Sequence, residues 1–302
     1  MGDQGRLFGG SWTDEKLRRV HDYLRAYMKV MKNQSFKLIY IDAFAGSGNR
    51  KVEIEDDSSG QGRLVFPNLE DEESHAFRKG SVNQALELER PFDQYILVEK
   101  DPNQFQRLGA VRSQYPHVGN RIRLENKDAN QFLQEYCRET VPHERFMRGI
   151  VFLDPFEMQV DWKTVRALGR TQKFDVWILF PLGIAVNRLL KRKGKIEERW
   201  RGALDRVFGT DEWEKFYEQR IADTLWGPDL EPEPQRIVDL DGIAKFYNDR
   251  LATAFAGVAT NPLRLENSKG SPLYLLCFAC ANPERQAKEK ALEIAQHILG
   301  SS

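Results

Sequence analysis

A short motif at the end of an apolar run is the most informative candidate for chemistry in this sequence. Asp154, Pro155 and Phe156 directly follow the run GIVFL at residues 149–153. The aspartate carboxylate and the proline carbonyl can both accept hydrogen bonds from an exocyclic amine, and the phenyl ring supplies a stacking surface. Such a site aims the amine lone pair at a methyl donor by positioning alone. A strand end followed by a helix-starting proline is the alternative.

A turn that contains glycines predicts a cofactor site earlier in the chain. Residues 36–42 (FKLIYID) form a predicted buried strand, which leads into the segment Asp42-Ala-Phe44-Ala-Gly46-Ser-Gly48. Glycines let the backbone approach a cofactor closely at the carboxyl edge of a parallel sheet. The dinucleotide pattern G-x-G-x-x-G is incomplete, because Lys51 stands at its last position, and no P-loop pattern occurs. A simple strand-to-helix turn also explains the two glycines.

Two further acidic residues stand at predicted strand ends. Glu99 closes the run YILV, where its carboxylate can accept both hydroxyls of a ribose. Its separation from Gly48 exceeds the usual spacing of about 20 residues, and the polar stretch 49–79 accounts for the excess. Asp128 follows the third predicted strand, where it can hold an adenine amine or cap the next helix. A solvated strand end is the plain alternative for Glu99.

The elements that must position these residues alternate along the chain. An amphipathic helix with apolar residues at three- and four-residue spacing precedes the first strand. Apolar runs then alternate with helix-like segments such as 104–113 and 129–138, which predicts a mostly parallel sheet with helices on both faces. We predict an α/β core over residues 1–186, a helical insertion over 187–260 and a return to the core sheet over 261–302.

The composition excludes several classes of protein. A hydrophobic share of 41% and a charged share of 30% provide a core and exclude disorder. Because 45 basic residues balance 45 acidic ones, any contact with nucleic acid must come from a local patch. The longest apolar run, 176–186, is interrupted by Pro181 and Gly183, so no membrane span is expected. Three cysteines without an export signal favour the cytoplasm.

The remaining candidates have ordinary explanations beside the functional ones. A basic run can grip phosphates or can lie on a solvated helix flank; its members are Lys191, Arg192, Lys193 and Lys195. Cys277 and Cys280 have C-x-x-C spacing, but on a strand their side chains point to opposite faces. The five histidines show no ligand spacing, so we predict no metal site.

Six segments carry a resemblance to a known family. WTDEKLRRVHDYLRAY, IYIDAFAGSG, PFDQYILVEKD, VFLDPFEMQVDW, DVWILFPLG and YLLCFACANP, which span nearly the whole chain, resemble the three-Cys-motif partner proteins. The order of D-x-F-x-G-x-G, an acidic strand end, Asp128 after the third strand and D-P-F after the fourth also resembles class I methyltransferases that modify amino groups of nucleic-acid bases. Such base methyltransferases usually carry D/N-P-P-Y/F, whereas Asp154-Pro155-Phe156-Glu157 is nearer to the D-P-F-G of tRNA guanine dimethyltransferases.

The resemblance implies a Rossmann-like class I methyltransferase fold with S-adenosylmethionine as cofactor. Under this hypothesis Gly46 and Gly48 admit the methionine end, Asp42 binds its amino group, Glu99 holds the ribose and Asp128 meets the adenine. The predicted activity is methylation of an exocyclic amine on a nucleic-acid base, with Asp154, Pro155 and Phe156 placing that amine. Two alternatives stay open: a non-catalytic partner subunit of a three-Cys-motif protein, and a nicotinamide enzyme.

Overall fold

The structure of the protein is a computed structural model, and it describes residues 11–46, 80–220, 223–224, 227–228 and 233–301. The stretch 49–79, which the sequence suggests is an inserted loop, lies outside these residues, as does Gly48. No helix in the described ranges is long and apolar enough to cross a membrane.

Helices and short connections alternate with strands through most of the described chain. The α-helices are α1 Ser11–Val30, α2 Ser81–Leu86, α3 Pro102–Leu108, α4 Val111–Gln114, α5 Ala129–Glu139, α6 Trp162–Arg170, α7 Asn187–Leu189, α8 Glu198–Phe208, α9 Leu240–Ala252 and α10 Arg285–Gly300. The strands are β1 Lys37–Asp42, β2 Gln94–Val98, β3 Ile122–Glu125, β4 Met147–Leu153, β5 Phe174–Phe180, β6 Tyr217–Arg220, β7 Asp223–Thr224, β8 Gly227–Pro228, β9 Glu233–Arg236, β10 Gly257–Val258, β11 Leu263–Glu266 and β12 Pro272–Cys280.

The central sheet has the order β10-β12-β5-β4-β1-β2-β3, and β11 also pairs with β12. Strands β1 to β5 are mutually parallel, and β12 lies antiparallel beside β5. The order 3-2-1-4-5 is that of doubly wound sheets, with an antiparallel strand in the sixth place. The predicted Rossmann-like, mostly parallel α/β fold is therefore confirmed.

Both faces of this sheet are covered by helices. Side chains of a strand alternate between faces, so Ile39 and Ile41 enter one apolar core while Leu38 and Tyr40 enter the other. The first core is completed by residues of α5, α6, α8 and α9, and the second by residues of α1, α2 and α10. Burial on two faces explains why β4 and β5 are apolar runs instead of alternating patterns.

Helix α1 lies on the second face, over the strands at the antiparallel side of the sheet. Its Tyr23 ring is 5.3 Å from the ring of Trp177 on β5 and 4.8 Å from that of Phe278 on β12. Asp14 in the first turn and Lys29 in the last turn suit the helix dipole. This contact orients α1 so that its amino-terminal half reaches toward the carboxyl edge of the sheet.

Two predicted helical regions differ in detail from the structure. The predicted helix over 104–113 is divided into α3 and α4 around Gly109, because glycine lowers helix stability. Residues 187–260 hold helices α7 to α9 together with the antiparallel pairs β6–β9 and β7–β8. At the end of this region β10 joins the central sheet beside β12.

Candidate functional site

Three acidic residues come together at the carboxyl edge of the central sheet. Asp42 ends β1, Glu99 directly follows β2 and Asp154 directly follows β4. Because β1 lies between β2 and β4 and all three are parallel, their carboxyl ends meet at one edge. Each of the three residues is buried. Open α/β sheets bind their ligands at this edge, so it is the candidate site.

Asp42 lies beneath the turn that follows β1. Its Oδ1 accepts a hydrogen bond from the Phe44 backbone N–H at 3.2 Å, and its Oδ2 accepts one from the Ser81 hydroxyl at 2.5 Å. The Tyr40 hydroxyl also donates to Oδ2, at 3.4 Å. Burial raises the pKa of Asp42 to about 7, the Ser81 hydrogen bond opposes this shift, and the Asp154 carboxylate adds to it. These contacts assign Asp42 the role of holding the turn; direct cofactor binding stays a prediction.

The raised pKa of Asp42 has a consequence for stability. The folded-state pKa of Asp42, about 7, exceeds the ordinary value of 3.8. The contribution of the protonated carboxyl group to stability is therefore fully present below pH 3.8. This contribution is lost as the pH rises toward 7, by about 1.4 kcal/mol per pH unit. We expect urea unfolding at a series of pH values to show that the free energy of unfolding falls more steeply with rising pH for the wild type than for Asp42→Asn. Equal pH dependence in the two proteins would contradict the raised pKa of Asp42.

Glu99 holds the glycine turn through two backbone hydrogen bonds. Its Oε2 accepts from the Gly46 N–H at 3.0 Å, and its Oε1 accepts from the Asp101 N–H at 2.7 Å. A Cβ atom added at Gly46 would lie 2.7 Å from Glu99 Oε2 and 3.0 Å from Gln104 Cβ. Only glycine fits this close approach of the turn to the strand end, which explains one of the two glycines in the predicted motif.

Asp128 caps a helix in the structure, which was one of the two alternatives that the sequence left open for it. Its Oδ1 accepts hydrogen bonds from the backbone N–H groups of Asn130 and Gln131, at 2.9 and 3.3 Å, as the N-cap of α5. The Lys100 ammonium lies 3.3 Å from Oδ2. Asn126, a residue the sequence analysis missed, donates to the Glu99 carbonyl at 2.8 Å and thereby joins the ends of β2 and β3.

Asp154 forms a buried ion pair with a residue that the sequence analysis missed. The Lys16 ammonium on α1 lies 2.7 Å from Asp154 Oδ2, and the two side chains are 0% and 6% exposed. A signal was present in the sequence, because Lys16 continues the four-residue spacing of Val20 and Leu24 on the apolar stripe of α1. A lysine on such a stripe indicates an interior counter-charge, since buried charges are paired.

Aromatic side chains lie on one side of this ion pair. The Phe156 ring is 42% exposed, and the Phe156 carbonyl accepts a hydrogen bond from the Tyr274 hydroxyl at 3.1 Å. Tyr274 stacks on Trp12 with ring centroids 5.1 Å apart, and the Lys16 ammonium lies 5.4 Å from the Trp12 ring centroid. Residues from α1 and β12 therefore fix the loop after β4 and leave one ring open to solvent.

The predicted basic run lies beyond the carboxyl end of β5. A π-helical turn, Leu182–Val186, and the short α7 separate the run from that strand. All four predicted cations are exposed, and Lys191 pairs with Glu197 at 3.6 Å. No contact in the described chain joins the run to Asp154.

Metal-binding clusters are absent from the described residues: no group of three His, Cys, Asp or Glu side chains could hold an ion there. Cys277 and Cys280 are buried in opposite cores of the sheet, which confirms that they belong to the strand interior. Burial raises the pKa of Cys137 to about 12, which keeps that thiol protonated.

Comparisons with known proteins give likenesses of fold only. No family model and no curated protein matches the chain. Among solved structures, protein LPL1258 from Legionella pneumophila is 12% identical over 97% of this chain and 95% of that chain, with a TM-score of 0.45. Spermidine synthase from Thermotoga maritima is 10% identical over 97% and 72%, with a TM-score of 0.39. YhhF from Escherichia coli, provisionally described as a methyltransferase, is 13% identical over 71% and 84%, with a TM-score of 0.28.

The fold is therefore assigned from the strand order alone. The chain has a Rossmann-like, mostly parallel α/β fold. Its resemblance to the three-Cys-motif partner proteins stays a prediction.

Proposed function

We propose that the protein is an S-adenosylmethionine-dependent N-methyltransferase that acts on an exocyclic amine of a nucleic-acid base. The observation that carries this proposal is the meeting of Glu99 and Asp154 at one sheet edge, with the open ring of Phe156 beside Asp154. One carboxylate suits a ribose, the other suits an amine, and the ring suits a planar base.

The residues at the ends of β1 and β2 fit the proposed cofactor. Glycine at position 46 lets the turn lie against Glu99, the residue proposed to hold the ribose. Within the described residues, each carboxylate oxygen of Glu99 accepts one hydrogen bond, so each keeps a lone pair for a ribose hydroxyl. Bound S-adenosylmethionine supplies a methyl group on a positively charged sulfur.

The residues after β4 would position the acceptor. The Lys16 ammonium contacts Asp154 Oδ2, and Oδ1 makes no hydrogen bond to the described residues, so Oδ1 is the less engaged oxygen for accepting from the acceptor amine. The Pro155 carbonyl would accept the second amine hydrogen, and the Phe156 ring would stack on the base. Catalysis would then consist of orienting the amine lone pair and excluding water. The exposed basic run, Lys191 to Lys195, would contact phosphates of the substrate.

Calorimetric titration with S-adenosylmethionine and S-adenosylhomocysteine tests the cofactor assignment. We expect micromolar binding to the wild type and at least a tenfold loss of affinity in Gly46→Ala, because the new methyl group would displace Glu99. Gly202→Ala is the matched control, since a Cβ atom at Gly202 meets nothing within 4 Å. Absence of binding to the wild type would overturn the cofactor assignment.

The Lys16 ion pair also favours a second candidate, the non-catalytic partner subunit of a three-Cys-motif protein. A cation already placed on Asp154 takes up part of the carboxylate that would bind an acceptor. Co-purification with a three-Cys-motif protein, together with cofactor binding and no methyl transfer to RNA or DNA, would favour this candidate. A cytoplasmic location is part of both proposals.

A further inference from the structure

The opposite, amino-terminal edge of the sheet carries a cluster of basic and aromatic side chains. We call it the amino-edge patch; it consists of Phe36, Lys37, Arg145, Phe146, Arg148 and Lys173. The proposed cofactor and acceptor residues all lie at the carboxyl edge. The seven residues of β4 separate the two edges by about 20 Å.

Strand register brings these six residues together. Lys37 on β1 is opposite Met147 on β4, and the Lys37 N–H donates to the Phe146 carbonyl at 2.8 Å. The start of β5 lies on the other side of β4, where the Arg148 guanidinium donates to the Gln172 carbonyl at 2.8 Å. The patch is therefore continuous across three neighbouring strand starts.

Positive charge in the patch exceeds negative charge. Glu144 pairs with Lys37 at 3.1 Å, whereas Arg145, Arg148 and Lys173 form no ion pair within the described residues. The Lys173 ammonium instead donates to the backbone carbonyls of Glu144 and Arg145, at 3.0 and 3.1 Å. Burial and the neighbouring Arg148 lower the pKa of Lys173. In a chain with no net charge, this is a local excess of cations.

The aromatic members of the patch are paired with guanidinium groups. Phe146 is 64% exposed, and the Arg145 guanidinium carbon lies 5.5 Å from its ring centroid. Arg148 is placed similarly over Phe36, at 5.2 Å. An exposed ring among cations is the arrangement by which proteins bind single strands: cations track the phosphates and a base stacks on the ring. An acidic protein bound at this patch would contact the cations but would have no base to stack on the ring.

We propose that the amino-edge patch binds single-stranded nucleic acid, with phosphates on Arg145 and Arg148 and an unpaired base on Phe146. The patch contributes affinity without base recognition, because its members offer charge and a stacking surface only. This inference does not depend on the proposed methyl transfer, since it concerns the other edge of the sheet.

Fluorescence anisotropy with a labelled single-stranded RNA of about 20 nucleotides tests the proposal. For single strands the slope of log affinity against log salt is about −0.7 for each phosphate contact. We expect Arg145→Gln/Arg148→Gln to reduce the magnitude of this slope by about 1.4. We expect Phe146→Ser to weaken binding about tenfold at every salt concentration and to leave the slope unchanged.

The control removes two cations from the exposed face of α10, in Arg285→Gln/Lys290→Gln, and should leave both affinity and slope unchanged. Far-UV circular dichroism of each variant verifies folding. Undetectable binding of the RNA to the wild type at low salt would overturn the proposal. So would equal binding of polyglutamate together with an unchanged affinity of Phe146→Ser, which would assign the patch to acidic proteins.

Discussion

Replacing Asp154 with asparagine is expected to reduce methyl transfer by about 10²- to 10³-fold while the affinity for S-adenosylmethionine stays within about twofold. Asparagine keeps the size of the side chain but removes the negative charge that faces Lys16 and the proposed acceptor amine. Misplacement of the amine lone pair lowers the rate because the reaction depends on orientation.

The measurement is transfer of a radiolabelled methyl group to the RNA or DNA acceptor found with the wild type, alongside calorimetry with the cofactor. Asp249→Asn is the matched control, because Asp249 pairs with Lys245 on the exposed face of α9. Circular dichroism must first verify that Asp154→Asn is folded, because the substitution leaves the buried Lys16 ammonium without its carboxylate partner. In the folded variant, a parallel loss of cofactor affinity would place Asp154 in the cofactor site. Unchanged transfer would remove it from the acceptor site.

The sequence was sufficient to predict the sheet and the strand ends that carry the candidate site. Runs such as 149–153 and 174–180 are apolar because both faces of β4 and β5 are covered, so their positions could be recognised without homologues. Asp42, Glu99 and Asp154 were each placed at a predicted strand end, and the parallel register brings those three strand ends to one edge of the sheet.

The contacts between distant elements could not be predicted in the same way. Strand patterns do not determine which side chain of α1 meets Asp154, since this depends on how Tyr23 packs on Trp177 and Phe278. The capping of α5 by Asp128 was recognised only as one of two alternatives, because local spacing cannot distinguish a cap from a ligand contact. The short strands in 187–260 were missed because they are two to four residues long.

The amino-edge patch shows why local charge was invisible in the sequence. Its members come from three strand starts, of which that of β1 precedes the other two by more than 100 residues along the chain. Acidic residues elsewhere cancel their charge in the total. Only the pairing of β1 with β4 and of β4 with β5 brings these cations to one surface.

The second large effect is expected on stability, from Lys16→Met. We expect this substitution to lower the free energy of unfolding by about 3–5 kcal/mol, because it leaves the Asp154 charge buried without a partner. Urea unfolding followed by circular dichroism measures the change. Lys245→Met is the control, since the exposed Lys245–Asp249 pair is solvated and contributes little.

The double variant Lys16→Met/Asp154→Leu separates stability from function. Replacing both partners of a buried ion pair with apolar residues is often neutral or stabilising, so we expect most of the lost stability to return. If the pair is present for structure alone, the double variant should behave as the wild type in every assay. If Asp154 orients an acceptor, the double variant should fold, bind the cofactor and fail to transfer a methyl group. A stability of Lys16→Met equal to that of the wild type would contradict the buried pair itself.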